Sequence, residues 1–448
     1  MKTGLRMNRR ELLATVSVSL AGVAGCLNGE DAGPFGESPD NGTAADDDGE
    51  APGGNAVQWT YQTSGSIRNQ PTLQDGIVYL SGGTNERAKS NKEHVRPERS
   101  ENVYALTADA GAEQWQYEAP AGVTSSPIVR DGVFVVTGWS AGTHGIEQQL
   151  VRLDDGSETW TTEEHDRYLH LLDSSDGAVY LGTSDDEYGI QGEELFAIRA
   201  SDGDQYWSTE TGDTTDATIN GDTLYSVAGG RRTTAFAVND GDERWHRDMR
   251  PGTDDVRVFD DALYLISEQE NENGNYPVVA VSASEGSERW RFSVPVDEPF
   301  VPTGAVASGD AVYITEYGGW LFGVDRADGS ENWRYSADSD TRDPPVVVDD
   351  MVYLASKNGG VHAVDGTTGD REWKRTVPGQ VRIVAGNQQG VIVRGGKEEG
   401  MQHLRAYAPD GTEQWSLSHP EHLTRPAVDG TRAIVGTRSG YVAALAEQ

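Results

Sequence analysis

From residue 56 onward, apolar residues come in short runs separated by turn residues at near-regular intervals. Ile-Val-Tyr-Leu (77–80), Val-Phe-Val-Val (133–136), Ala-Val-Tyr-Leu (178–181), Thr-Leu-Tyr-Ser (223–226), Ala-Leu-Tyr-Leu (262–265), Ala-Val-Tyr-Ile (311–314) and Met-Val-Tyr-Leu (351–354) are variants of one strand. Turn pairs such as Asp75-Gly76, Asp131-Gly132, Asp176-Gly177 and Asp349-Asp350 precede them. Asp and Gly tolerate positive φ, so such pairs between apolar runs predict tight hairpins. A third strand follows after a variable loop, as in Val-Tyr-Ala-Leu-Thr-Ala (103–108) or Trp-Leu-Phe-Gly-Val-Asp (320–325). A second tight turn then opens a fourth strand carrying a tryptophan. No segment keeps a 3.6-residue apolar period, so almost no helix is expected.

The fourth strand carries the clearest signal. Gly-x-x-x-Trp occurs at Gly111/Trp115, Gly156/Trp160, Gly203/Trp207, Gly241/Trp245, Gly286/Trp290, Gly329/Trp333, Gly369/Trp373 and Gly411/Trp415. Successive tryptophans of this set lie 38 to 47 residues apart. That period belongs to four-stranded propeller blades. The expected fold is all-β, a single β-propeller of four-stranded antiparallel blades (strands A to D), spanning 56–448. Nine A-B-C strand sets give nine blades. Unit eight has lost its Asp-Gly-x-x-Tyr signature (Gln389-Gly390-Val391-Ile392-Val393), which leaves eight blades and one irregular unit open. The tail from Thr424 supplies three strands and stops where the next tryptophan strand should begin. The missing strand stands at the start, Val57-Gln58-Trp59-Thr60-Tyr61, and pairing the two closes the ring and hides two strand edges.

Composition changes the picture in two ways. The 448 residues carry 73 acidic against 36 basic side chains, a formal charge of −37. A nucleic-acid binder needs a dominant basic face, so that class is disfavoured. The acidic excess resembles that of proteins from extreme halophiles, where molar salt screens self-repulsion to within about 3 Å. The single cysteine excludes an intramolecular disulfide or a cysteine-cluster metal site.

Residues 1–26 read as an export signal. Asn8-Arg9-Arg10-Glu11-Leu12-Leu13 resembles the twin-arginine motif, and the apolar run 14–24 is too short to span a bilayer. It ends in Val23-Ala24-Gly25-Cys26, which resembles a lipobox and makes Cys26 the expected lipidation site; Met7 is an alternative start. Stable anchoring needs two lipid chains rather than one. Residues 27–55 are rich in Gly, Pro, Asp and Glu, a flexible acidic linker reaching about 30 Å. The expected location is the cell surface, exported and lipid-anchored to the cytoplasmic membrane.

The motif Ala-Val-Asp-Gly-Thr-Thr-Gly-Asp-Arg-Glu-Trp (363–373), with its seven variants, resembles the repeat of the PQQ-like β-propellers. The resemblance covers essentially the whole chain after residue 55. That family includes quinoprotein alcohol dehydrogenases and the lipoprotein subunit of the β-barrel assembly machinery, and its rings commonly have eight blades. It implies that Trp59, Trp115, Trp160, Trp207, Trp245, Trp290, Trp333, Trp373 and Trp415 are structural residues docking neighbouring blades. It also implies what a quinoprotein would need: an adjacent cysteine pair, a calcium held by Glu, Asn and Asp, and an aspartate base. Cys26 supplies no such pair. No Ser-His-Asp spacing, HExxH, GxGxxG or EF-hand pattern is present. His165 and His170 are either a solvated pair or metal ligands, and the acidic loop 184–194 is solvated or holds Ca²⁺.

Insertions concentrate in the B–C loops at 82–100, 139–149, 184–194 and 267–277. In a four-stranded blade these share a face with the D–A links. That face is an interaction surface, or its loops are the product of neutral drift. Counting back eight residues from the second hairpin position places Arg68, Arg342 and Arg382 on it in units one, seven and eight, with His422 matching in unit nine. These four are the candidate binding-face residues, forming a basic arc for an anionic partner or pairing with nearby acids such as Asp343. Lys89, Lys92, Arg96 and Arg99 add a basic tip in the first insertion. The reading is a monomeric, non-catalytic interaction scaffold with no cofactor or metal, a lipid anchor and an unknown protein partner. The alternative is a ligand-binding redox protein using PQQ with Ca²⁺.

Overall fold

The computed structural model describes residues 52, 56–83, 101–140, 146–175, 177–184, 193–212, 214–229, 231–253, 256–267, 275–294, 300–398, 400–430 and 432–446. Arg9, Arg10, Cys26, the linker up to residue 51, the basic tip and most of each long B–C insertion lie outside these residues. Among the described residues there is no helix, and the strands form nine antiparallel sheets. Eight follow one another along the chain, each in the order A-B-C-D. The ninth draws its D strand from the other end of the domain.

The expected hairpins explain the sheets. Asp75 and Gly76 both take positive φ (50° and 75°), the twist of a tight turn between strands. Unit eight is a complete blade, so the ring has nine blades rather than eight plus an irregular unit. Its strands are Val381–Asn387, Gly390–Glu398, Met401–Tyr407 and Glu413–His419. The A–B turn there falls on Gln388-Gln389, because Asn387 pairs with Gly390. Its A strand carries a register shift between Ile383 and Ala385, like those at Leu171/Asp173 and Thr214/Asp216 in blades three and four.

Each pair of neighbouring blades shares its own apolar cluster, built where the B and C strands of one blade face those of the next. Blades five and six, for example, bury Tyr264, Val278, Phe300, Phe322 and Val324 together. The indoles tie these clusters to the turns. Trp59, Trp160, Trp207, Trp245, Trp290, Trp333 and Trp373 each donate Nε1–H to a backbone carbonyl just past the C strand of the next blade, at 2.8–3.0 Å. The acceptors run from Ala108 to Pro409.

The Gly-x-x-x-Trp motif proves to join two blades rather than one. Its glycine lies against the tryptophan of the preceding blade: Gly111 on Trp59, Gly203 on Trp160, Gly369 on Trp333. Gly369 has φ +78°, and a Cβ there would sit 2.7 Å from the Trp333 ring. Both backbone conformation and ring contact therefore demand glycine. Truncating one such indole leaves a cavity costing about 3–5 kcal/mol.

Closure follows the same rule. Val57–Gln62 pairs antiparallel with Tyr441–Leu445, with Trp59 opposite Ala444. Trp59 then docks on Gly111 of blade one, as Trp160 does on Gly203. Ile67, Leu80 and Tyr104 of blade one pack with Ile434, Val442 and Ala444 of blade nine. Ala446 N–H donates to Ala56 O at 2.9 Å, so the two chain ends of the ring meet beside the A–B and C–D turns.

One histidine is part of this core. His362 is 0% exposed, with Nδ1 2.8 Å from the Tyr335 hydroxyl and Nε2 3.3 Å from Ser356 Oγ. Burial above all, helped by Lys374 and Arg371 against Asp338, pushes its pKa down to about 4. The unfolded chain protonates this ring near pH 6.5, whereas the folded one holds it neutral.

Three outcomes are expected. Deleting residues 56–62 lowers the melting temperature of the entire ring, and a melting curve matching the intact protein would count against closure. Gly369→Ala destabilises by more than Gly221→Ala, which shares a positive φ (+63°) but has nothing within 4 Å. Urea melts would show the control losing about 1 kcal/mol and Gly369→Ala clearly more. Stability contributed by neutral His362 is complete above pH 6.5 and falls away between 6.5 and 4, by on the order of 3 kcal/mol. His362→Gln removes that portion of the pH dependence when urea melts at pH 7.5 and 4.5 are compared.

Candidate functional site

The A–B and C–D turns share one face, and the B–C turns and D–A links share the other. Their electrostatics differ. On the A–B/C–D face, arginines at the strand ends are matched to turn aspartates. Arg244 meets Asp222 at 2.8 Å, Arg289 meets Asp261 at 2.7 Å, and Arg326 meets Asp260 at 2.7 Å. The Arg244 guanidinium pulls the Asp222 carboxyl down to about 2. These pairs are solvent-exposed on the acid side, and each contributes little to stability.

The B–C/D–A face holds all four residues picked from the repeat. Arg68 is exposed at the end of the Ser66–Ile67 strand, with Nε 3.3 Å from Ser66 Oγ. Arg342 is exposed, its guanidinium carbon 5.8 Å from the centre of the Tyr317 ring. Arg382 is the second residue of the A strand of blade eight and lies 3.6 Å from Asp343 Oδ1. His422 is exposed in the link that enters blade nine.

The structure brings two of the four together. Arg342 and Arg382 line an open pocket of about 180 Å³ between blades seven and eight, with Asp343, Lys357, Gln380 and Arg394 on the same wall. Arg68 and His422 are not among its lining residues. The pairing with Asp343 weighed from the sequence is made by Arg382, and Lys357 reaches Asp340 at 3.5 Å.

Arg394 was not singled out by sequence reasoning, although it stands out inside the otherwise apolar strand Val391-Ile392-Val393-Arg394. It is partly buried and sits directly opposite Arg382 in the A–B ladder. Burial first, then Arg425 and Arg382, hold its guanidinium below the ordinary value, with Asp343 opposing. Guanidinium remains charged throughout the working pH range, so Arg394 keeps its charge in this partly buried place.

The other candidate ligands are engaged elsewhere. His165 stacks on Phe196 with centroids 5.3 Å apart, and His170 Nε2 lies 2.7 Å from Ser184 Oγ. Among the described residues no three His, Cys, Asp or Glu side chains are grouped to hold a metal ion. The adjacent cysteine pair that the family resemblance implies for a quinoprotein is not supplied by the sequence, which has one cysteine.

Two curated relatives are outer membrane protein assembly factors BamB. The one from Moranella endobia is 25% identical over 268 residues, covering 57% of this chain. This chain spans 62% of that relative's length. The one from Yersinia pestis is 25% identical over 297 residues, covering 62% of this chain and 70% of the relative. Among solved structures, BamB from Moraxella catarrhalis overlays with a TM-score of 0.50 at 17% identity, over 71% of this chain and 94% of that one, a likeness of fold. The model of one repeat family matches residues 87–189, 175–270 and 274–398, and with the indole-docked blades already described, it places this chain in the PQQ_2 family, outer membrane protein assembly factor BamB.

Proposed function

We propose that this chain is an exported, lipid-anchored, non-catalytic propeller that acts as a protein-interaction scaffold at the outer face of the cell membrane. Its membership of a family described as an assembly factor carries the reading. Export would run through Arg9 and Arg10, and a lipid on Cys26 would hold the ring to the cytoplasmic membrane. No bound cofactor is part of this reading.

The geometry supports a division of labour between the faces. The chain enters the ring at Ala56, beside Ala446 and the C–D turns. A tether at residues 27–55 would therefore hold the A–B/C–D face toward the membrane and turn the B–C/D–A face outward. The outward face carries the long insertions and Arg68, Arg342, Arg382 and His422. In a protein of charge −37, a local group of arginines focuses field toward an acidic partner.

The test is crosslinking in native membranes followed by identification of neighbours. The triple variant Arg68→Gln, Arg342→Gln, Arg382→Gln is expected to lose most of the partner recovered by the parent while melting at the same temperature. Unchanged recovery would remove the arginines from the interface. PQQ absorbance that stays with the protein after it is mixed with PQQ and Ca²⁺ and desalted would overturn the non-catalytic reading itself.

A further inference from the structure

One B-strand position breaks the repeat of the ring. In every blade, a B-strand residue is aligned through the C strand with the D-strand indole, as Tyr353 is through Ala363 with Trp373. Two residues further along stand Ser81, Val136, Gly182, Val227, Ile266, Thr315, Ala355 and Gly436 in eight blades. In blade eight that position is Arg394. Small or mainly apolar residues suit it, because the B strand is enclosed by its A and C neighbours. A guanidinium there loses hydration and must be compensated.

Among the described residues no side chain compensates it by direct contact. Arg394 makes no side-chain hydrogen bond or ion pair with a described residue. Its direct cross-strand partner is Arg382, and like charges in that position repel. Arg425 adds a further positive charge nearby, and Asp343 is the carboxylate that opposes them. Arg342 joins from blade seven. Several cations thus converge on an open pocket of about 180 Å³ with one acid among its lining residues. Elsewhere, Arg244, Arg289 and Arg326 on the opposite face each have an aspartate.

We propose that this pocket is an oxyanion-binding site, taking one carboxylate or phosphate group between Arg342, Arg382 and Arg394. Guanidinium groups present paired N–H donors that match the oxygens of such groups, and a bound anion supplies a partner that the described side chains do not give Arg394. Such a site would exist whether or not the ring is a scaffold, because blades seven to nine build it. Its anion comes either free from solution or on an acidic side chain of a polypeptide.

The full chain is titrated calorimetrically at constant ionic strength with potassium phosphate, potassium acetate and a tetraglutamate peptide. Saturable binding of phosphate or acetate is expected, weakened at least tenfold by Arg394→Gln and tightened by Asp343→Asn. Peptide binding at least tenfold tighter than acetate assigns the site to a polypeptide carboxylate, and equal or weaker binding assigns it to a free anion. Without anion, Arg394→Gln should melt higher than the parent and lose the anion-dependent rise in Tm, where a purely structural arginine would melt lower. Should that variant fail to fold, exposed Arg382→Gln and Arg342→Gln must each weaken binding. Absence of saturable binding of both salts to the parent, or unchanged binding in these folded variants, overturns the site.

Discussion

The contact between an indole and the glycine of the next blade is the constraint on which the ring rests. A four-stranded blade is a small sheet with two apolar faces, and alone it would leave both wet. The tryptophan at the outer strand fills the space toward its neighbour, and its Nε1–H satisfies a carbonyl in the neighbour's turn, Ala200 O for Trp160. The glycine then allows the turn to close over the ring, as Gly203 does on Trp160. Packing, hydrogen bonding and backbone conformation are thus settled at one point in seven of the nine interfaces, among them Trp373 with Gly411. Trp59 on Gly111, with its bond to Ala108 O, gives the closing interface between blades nine and one the same joint.

The strong legibility of the fold has the same origin. Gly-x-x-x-Trp and the Asp-Gly turns are visible because glycine and tryptophan are hard to replace where backbone and ring requirements coincide. Blade count was harder. Unit eight turns on Gln388-Gln389, residues without a marked turn signature. The direction of the motif was invisible for a simpler reason: Gly369 and Trp373 are neighbours in sequence, but the glycine serves Trp333.

The candidate site was only half legible. Arg342 and Arg382 lie near strand starts, where spacing from a turn locates them, and the structure does put both on one pocket. Arg68 and His422 occupy matching places in their blades but line other ground. Arg394 escaped because an arginine in an apolar strand reads as an edge or a surface residue until the cross-strand register is known. That register sets it against Arg382 and beside Arg425, and turns one basic residue into an electrostatic problem. The surrounding surface sharpens the contrast, since most of the chain's charge is negative.

Because each glycine belongs to the interface behind it and each tryptophan to the interface ahead, a length of chain cut between equivalent points carries one complete half-joint at either end. Duplication or loss of such a length rebuilds every junction with the same parts and alters only the curvature shared among the remaining wedges. Rings of this construction are therefore free to change size by whole units during descent, and a count of nine requires no new kind of joint.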